Sequence, residues 1–417
     1  NGVGVGTTFT GNSGNDSFNF GTFGLTSVVI AAGADNDAVV VRGSVVDSSV
    51  QGARGLDTIE LLGAISNSTV GAGADNDSVV LGGVATGVNV ALGSGADTLY
   101  VSNTITGSFV DAGGDNDSLA FNNLVAGSTV LAGDGADTIT ALRGITGSSL
   151  DGSTGDEFIS ISGGLTGSTI TGGTGADTIS VVGTVTGSQI LGQDDNDLVA
   201  VNGTVLQSLI DGGSGADTVS VNGAMTGGSL QGNEGEDRLI VTGTAATVFV
   251  GGGKGNDLIS LGAVAGGTVF GGVGGDSLNV GGDVVSATLS LGTTSTDDGA
   301  DSLNVTGAVS ATTISTDVGN DTVIISSSFV ASTLAAGSGD DTIRIVGSAN
   351  GSIDLGEGLN NFSAGTLSGA TLSGGSSADT VTVGSSVNGS LSLGDGDNVI
   401  NAGGLSGATV SLGSGAD

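Results

Sequence analysis

Apolar and polar residues alternate over short runs, and the runs return at a fixed interval. Ile179 and Val181 flank Ser180, and Val219 and Val221 flank Ser220. A period of two marks a strand with one buried face. A second apolar pair follows a polar turn, at Val185 and Ile190 in one repeat and at Leu165 and Ile170 in the one before. The pattern predicts two short strands and two turns per repeat. No helix-length segment carries a 3.6-residue period, and 84 glycines among 417 residues disfavour helix.

The interval is twenty. An acidic residue marks it at Asp37, Asp57, Asp77, Asp97, Asp117 and Asp137, then at Asp177, Asp197, Asp217, Asp237 and Asp257, with Glu157 in the gap and Asp16 in an earlier, degenerate copy. Asp276 follows after nineteen residues and Asp301 after twenty-five, and Asp321 and Asp341 restore twenty. Asn360 then replaces the acid, and Asp379, Asp397 and Asp417 close the series. One such repeat cannot bury its own apolar face, whereas stacked repeats share a continuous core. The expected fold is therefore all-β: a right-handed parallel β-solenoid of about twenty coils, one continuous domain over residues 1–417. At the usual strand spacing it would be about 95 Å long. The stretch to twenty-five residues reads as an irregular insertion around residues 292–301, a loop offering a contact or glycan site. The start at Asn1 without methionine and the end at Asp417 inside a "GSGAD" motif suggest an excerpt of a longer chain.

The loop before the acid reads Gly-x-Gly-x-Asp in its regular form, as at Gly93, Gly95 and Asp97 or Gly173, Gly175 and Asp177. Glycines there permit positive φ and let backbone carbonyls turn towards a shared point. Ser108, Ser128, Ser148, Ser168, Ser188 and Ser208 form a second column, and no general base accompanies them to make them nucleophiles. They are expected to cap turns through their hydroxyls.

Composition changes the picture by subtraction. The chain has no Cys, His, Trp or Pro, one Tyr and one Met, which leaves carboxylates and hydroxyls as its only plausible reactive groups. General acid–base or nucleophilic catalysis is not expected. Low aromatic content would fit disorder, but 37% hydrophobic residues at regular intervals argue for a core. Six basic against forty-two acidic residues give a formal charge of −36, which repels nucleic acid and anionic membrane surfaces and calls for a cationic partner. No run of eighteen apolar residues suggests a membrane span, and no signal-peptide pattern opens the chain.

Stacking places each motif carboxylate about 5 Å from the next, a repulsion of about 1 kcal/mol in water and about 3 kcal/mol at an effective dielectric near 20. Such a ladder favours cations between its rungs. Carboxylates and carbonyls on a flexible loop suit Ca²⁺, with Mg²⁺ second, while no His or Cys is present for zinc or copper. For any one loop the alternative is a plain Asx-type cap. Asp35, Asp75, Asp115 and Asp195 stand where the second loop glycine would be, each followed by Asn and the motif Asp. Asp tolerates left-handed backbone, so these two-acid loops can keep the turn, and they are candidate additional ligands.

The loops "GGTGADTIS" from Gly172 and "GGSGADTVS" from Gly212 resemble the haemolysin-type calcium-binding repeat of RTX proteins. The resemblance spans nearly the whole chain. It implies that the motif aspartates and the glycine-loop carbonyls of adjacent coils jointly hold Ca²⁺, with Asp97, Asp137, Asp177, Asp217 and Asp257 as ligands. It also implies export of an unfolded chain, as by type I secretion, that folds in extracellular calcium. The family repeats its motif every nine residues, on both edges, whereas here the motif comes once in twenty and the opposite turn, "GTVTGS" from Gly183, carries no acid. Calcium is therefore expected along one edge only. The expected function is that of a secreted structural rod, non-enzymatic, in a bacterial surface layer, sheath, filament or adhesin stalk. Its partners would be calcium, further copies or surface-layer subunits, and cell-surface polysaccharide, with no nucleic acid and no membrane insertion. The alternative is the calcium-binding part of an exported polysaccharide epimerase, lyase or protease whose catalytic domain lies elsewhere.

Overall fold

Short β-branched and small residues at alternate positions, punctuated by glycine every few residues, leave the backbone extended and sharply turned. The computed structural model describes residues 4–295 and 298–417, and among these it contains strands and no helix. The chain forms two compact units, Asn1–Gly203 and Thr204–Asp417, each a parallel β-solenoid. Within each, a strand pairs in parallel with the strand one coil later: Ile145 with Leu165, Leu150 with Ile170, Ile159 with Ile179. In the second unit Val219 pairs with Leu239 and Leu278 with Leu303.

A regular coil holds three strands, one more than the alternation predicts. Thr178–Val182 is followed by Val185–Thr186 and Gln189–Asp194. Val185 and Ile190, the second apolar pair, belong to different strands because Gly187 turns the backbone between them at φ 55°. The core is a set of stacked columns. Ile179, Val181, Val185 and Ile190 are all fully buried, and Leu239, Val241, Ala245 and Val250 hold equivalent places in the second unit. Small and medium aliphatic side chains make up most of these columns, with Phe121, Phe329 and Phe362 as the largest fully buried members, and each coil packs on its neighbours through them.

The serine column does what its position suggests. Ser148 Oγ accepts the Ser128 N–H at 3.1 Å and donates to its own Thr146 carbonyl at 3.0 Å. Ser48, Ser108, Ser128 and Ser168 repeat the arrangement, each buried. The hydroxyls thus satisfy inward-facing amides that the sheet ladder leaves over.

The twenty-five-residue coil takes its extra length in the loop that precedes Asp301. Leu291 N–H still bonds the next coil at Ser315, and Gly299 N–H bonds the previous coil at Gly274. Residues 296 and 297 of the insertion lie outside the described residues.

Candidate metal-binding edge

The motif loop occupies the turn between the longest and the next strand of each coil. Gly93 and Gly95 stand at φ 116°, and a Cβ on either would collide with the backbone of the coil before it, at Gly73 and Asp75 respectively. At these two positions glycine serves both the dihedral and the stacking distance. Asp35, Asp75, Asp115 and Asp195 replace the second glycine at φ 73–77°, as their tolerance of the left-handed region allows.

The motif side chain then turns inward. Asp37, Asp97, Asp137, Asp177, Asp237, Asp257 and Asp341 are each 1–2% exposed, burial as deep as that of the apolar columns. One oxygen has a fixed task. Asp57 Oδ1 accepts the Asp37 N–H at 2.8 Å, Asp77 Oδ1 the Asp57 N–H at 2.7 Å and Asp137 Oδ1 the Asp117 N–H at 2.6 Å. The ladder runs through the nineteen-residue step, Asp257 N–H to Asp276 Oδ1 at 2.8 Å, and the twenty-five-residue step, Asp276 N–H to Asp301 Oδ1 at 2.7 Å. Asp16, Asp321 and Asp379 belong to the same column.

The other oxygen has no such task. Oδ2 of Asp37, Asp57, Asp77, Asp97, Asp117, Asp137, Asp177, Asp237, Asp257, Asp276, Asp301, Asp321, Asp341 and Asp379 is buried without a hydrogen-bond partner. It faces more acceptors. A Cβ added at Gly52 would collide with Asp57 Oδ2 and with the Ala72 carbonyl of the next coil, and Gly252 and Gly374 show the same pair with Asp257 and Gly271 and with Asp379 and Leu393. Glu157 fills the column with a longer arm, and both of its oxygens are buried and unpartnered.

Asparagine at the same station shows what the pocket wants. Asn360 Oδ1 takes the Asp341 N–H at 2.9 Å, as a motif aspartate would, and its Nδ2 donates to the Gly358 carbonyl at 3.3 Å. Asn398 does more. Its Oδ1 takes the Asp379 N–H, and its Nδ2 reaches the carbonyls of Gly394, Asp395 and Gly396 at 3.2, 3.3 and 3.2 Å. A positive group at that point meets a ring of loop carbonyls. The station falls on Asn398, not on Asp397 as the acid series has it. Asp397 lies one residue earlier, exposed, and accepts the Ala416 N–H.

Electrostatics agrees with the geometry. Burial, reinforced by neighbouring carboxylates and opposed by the amide bond to Oδ1, pushes Asp57, Asp97, Asp257 and Asp276 up to about 6. It pushes Asp77, Asp117, Asp237 and Asp341 to about 7 and Asp301 to about 8. Burial also raises Glu157, and the Asp177 carboxyl group adds to this. No basic side chain is among the causes acting on Asp57, Asp77, Asp97, Asp117, Asp237, Asp257, Asp276, Asp301 or Asp341. A salt bridge, Lys254 with Glu234, lies on the surface.

The second acids of the two-acid loops are placed differently. Asp35, Asp75, Asp115 and Asp195 are exposed, and Oδ2 of the first three accepts the N–H of Gly14, Gly55 and Gly95 in the preceding coil at 3.0–3.2 Å. Among the described residues no three acidic side chains converge on one point. A cation on this edge would therefore depend on backbone carbonyls for most of its shell. Sequence reading missed the division of labour between the two carboxylate oxygens, which no spacing reveals.

No family profile and no curated protein matches the chain. Among solved structures, a hyperactive, Ca²⁺-dependent, β-helical antifreeze protein from an Antarctic bacterium is similar at 22% identity over 81% of this chain and 86% of its own, with a TM-score of 0.41.

Proposed function

We propose that this chain is a secreted, calcium-stabilised structural element of a bacterial cell-surface assembly such as a surface layer, sheath, filament or stalk. The observation that carries the calcium reading is the buried, unpartnered Oδ2 repeated coil after coil, facing carbonyl oxygens, at the station where Asn398 inserts an amide donor. Buried carboxylates without donors are unstable unless a proton or a cation joins them. The donor set is oxygen throughout, anionic and carried on glycine loops, which fits Ca²⁺ better than the tighter octahedron of Mg²⁺. Oδ2 of Asp57, Asp97, Asp137, Asp177, Asp237 and Asp257 would hold the ions together with carbonyls such as those of Ala72 and Gly271 in the following coil. Bound calcium would relieve the repulsion along the column and tie each coil to the next through the same loop. Affinities in the range of about 10⁻⁴ to 10⁻³ M, typical of extracellular modules, would leave the sites empty inside the cell and filled outside it.

The structural role is supported by near-identical coils, which make an extended periodic surface. Circular dichroism of the chain in chelator and in millimolar calcium tests the calcium reading: β-structure should grow with calcium, and spectra that coincide would sink it. Chelation of intact cells tests the surface role, since the protein should be released in soluble form. Protein that stays on the cells would favour the exported-enzyme alternative.

A further inference from the structure

The insertion before Asp301 changes the motif edge at one coil. In regular coils a Cβ on the loop's leading glycine would meet one carboxylate oxygen and one carbonyl of the next coil, as at Gly232 with Asp237 Oδ2 and the Gly252 carbonyl. At Gly292 the same construction meets two carboxylates: Asp298 Oδ2 from the insertion and Asp301 Oδ2 from the column, together with the Thr316 carbonyl. Asp301 is 2% exposed and its Oδ2 has no hydrogen-bond partner. Asp298 is held in place rather than splayed outward. Its Oδ2 accepts the Thr293 N–H at 2.6 Å, its own N–H donates to the Ser295 carbonyl at 3.2 Å, and its Oδ1 is buried and unpartnered.

We propose that Asp298, Asp301 and the Thr316 carbonyl form a separate calcium site, tighter than those of the regular coils. The inference rests on the calcium reading of the motif edge. It goes beyond that reading in assigning one residue outside the repeat as a ligand. Two carboxylates neutralise a divalent cation where a single one leaves it charged, and affinity in oxygen sites rises with ligand charge. Two carboxylates aimed at one buried point also repel one another unless a cation joins them. The insertion thus adds a ligand to the column at the coil where the period breaks, and the cation would fix a loop that no regular turn defines.

Calcium titration calorimetry on the whole chain is the test. The wild-type isotherm should show one site per chain at least about tenfold tighter than the remaining sites. Asp298→Asn, which keeps an acceptor for the Thr293 N–H, should abolish that one site and leave the weaker ones. Asp137→Asn should remove one of the weaker sites and leave the tight one in place. A wild-type isotherm with a single class of sites, or an Asp298→Asn isotherm that superimposes on wild type, overturns the proposal while leaving the ladder intact. A tight site without any weaker ones upholds it and removes the ladder; no binding at all removes both. If Asp298→Asn fails to fold, the wild-type isotherm decides alone.

Discussion

The two units solve the same stacking problem with different discipline. In Asn1–Gly203 the station advances by twenty residues at every coil from Asp37 to Asp197, and each coil breaks into short strands such as Ile105–Thr106, Phe109–Gly114 and Ser118–Phe121. In Thr204–Asp417 the interval takes the values nineteen, twenty and twenty-five, and strands run as long as Thr380–Gly394. Register shifts appear there, between Val241 and Thr244, between Ile345 and Ser348 and between Val383 and Ser386. The acid or amide nevertheless keeps its place. Asp257, Asp276, Asp301 and Asn360 all accept from the coil before with donor–acceptor distances of 2.7–2.9 Å. Across these second-unit coils length is therefore negotiable in turns and bulges, and the bond to the inward amide is not, whereas Glu157 in the first unit takes no amide at all. The charge on the acceptor is also negotiable, since Asn360 and Asn398 serve in the second unit alone.

That contrast is most exposed by removing calcium. On the calcium reading, each filled site would stabilise its coil by about 2.7 kcal/mol at a hundredfold excess over its dissociation constant. Hydrogen exchange along the whole chain in chelator should show a loss of protection of about a hundredfold or more in the amides around Asp57 to Asp137. The amides around Asn398 should lose much less. Equal losses at both would erase the distinction.

A proton can occupy the same oxygen, and this fixes the sign of the pH effect. The folded-state values of Asp77, Asp117 and Asp237 near 7, and of Asp301 near 8, lie above the unfolded value of 3.8. Their contribution to the metal-free fold is fully present below the unfolded value and is lost as pH rises through about 6 to 8. Melting temperature in chelator should fall between pH 5 and pH 8, and excess calcium should flatten or invert that slope. A metal-free melting temperature that climbs over this range contradicts the buried-carboxyl picture.

Exchanging the two kinds of station gives a smaller effect. Asp137→Asn keeps an acceptor for the Asp117 N–H and supplies a donor to the loop carbonyls, so metal-free stability should change by under about 1 kcal/mol while one calcium is lost. Asp137→Ala leaves that amide buried without an acceptor and should cost about 1–3 kcal/mol. Denaturant unfolding in chelator separates the two variants, and equal costs would deny the amide bond its importance.

The smallest effect belongs to the opposite column. Ser148→Ala strips the acceptor from the Ser128 N–H and should cost about 1 kcal/mol, alike with and without calcium. A calcium-dependent cost would tie the two edges together, against the one-edge reading.

The period, the parallel stacking and the columns were all legible in the residues, because every coil repeats the same inward and outward choices. The third strand was not. Ile145–Thr146 is two residues long, and two residues cannot display an alternation. Asn398 was hidden by Asp397, since a search for acids passes over an amide. The apolar pattern held the signal, because the motif residue stands two before an inward apolar position, Ile179 after Asp177 and Ile400 after Asn398, whereas Val399 is 54% exposed. Asp298 was unreadable for another reason: it lies in a segment without period, and only the path of that loop brings its carboxyl to Asp301.

The amide ladder has a direction. Glu157, whose oxygens take no amide, interrupts it; elsewhere a station such as Asp57, Asp77 or Asp97 donates to the coil that follows and accepts from the coil that precedes, so a regular run of coils begins with an acceptor awaiting a donor and ends with a donor awaiting an acceptor. A coil inserted whole brings one of each and leaves both neighbours as it found them. Duplication or deletion of whole coils thus leaves the ladder as it was, and the number of repeats can change without altering the bonds between them, as the length of a ruler can change without altering its markings.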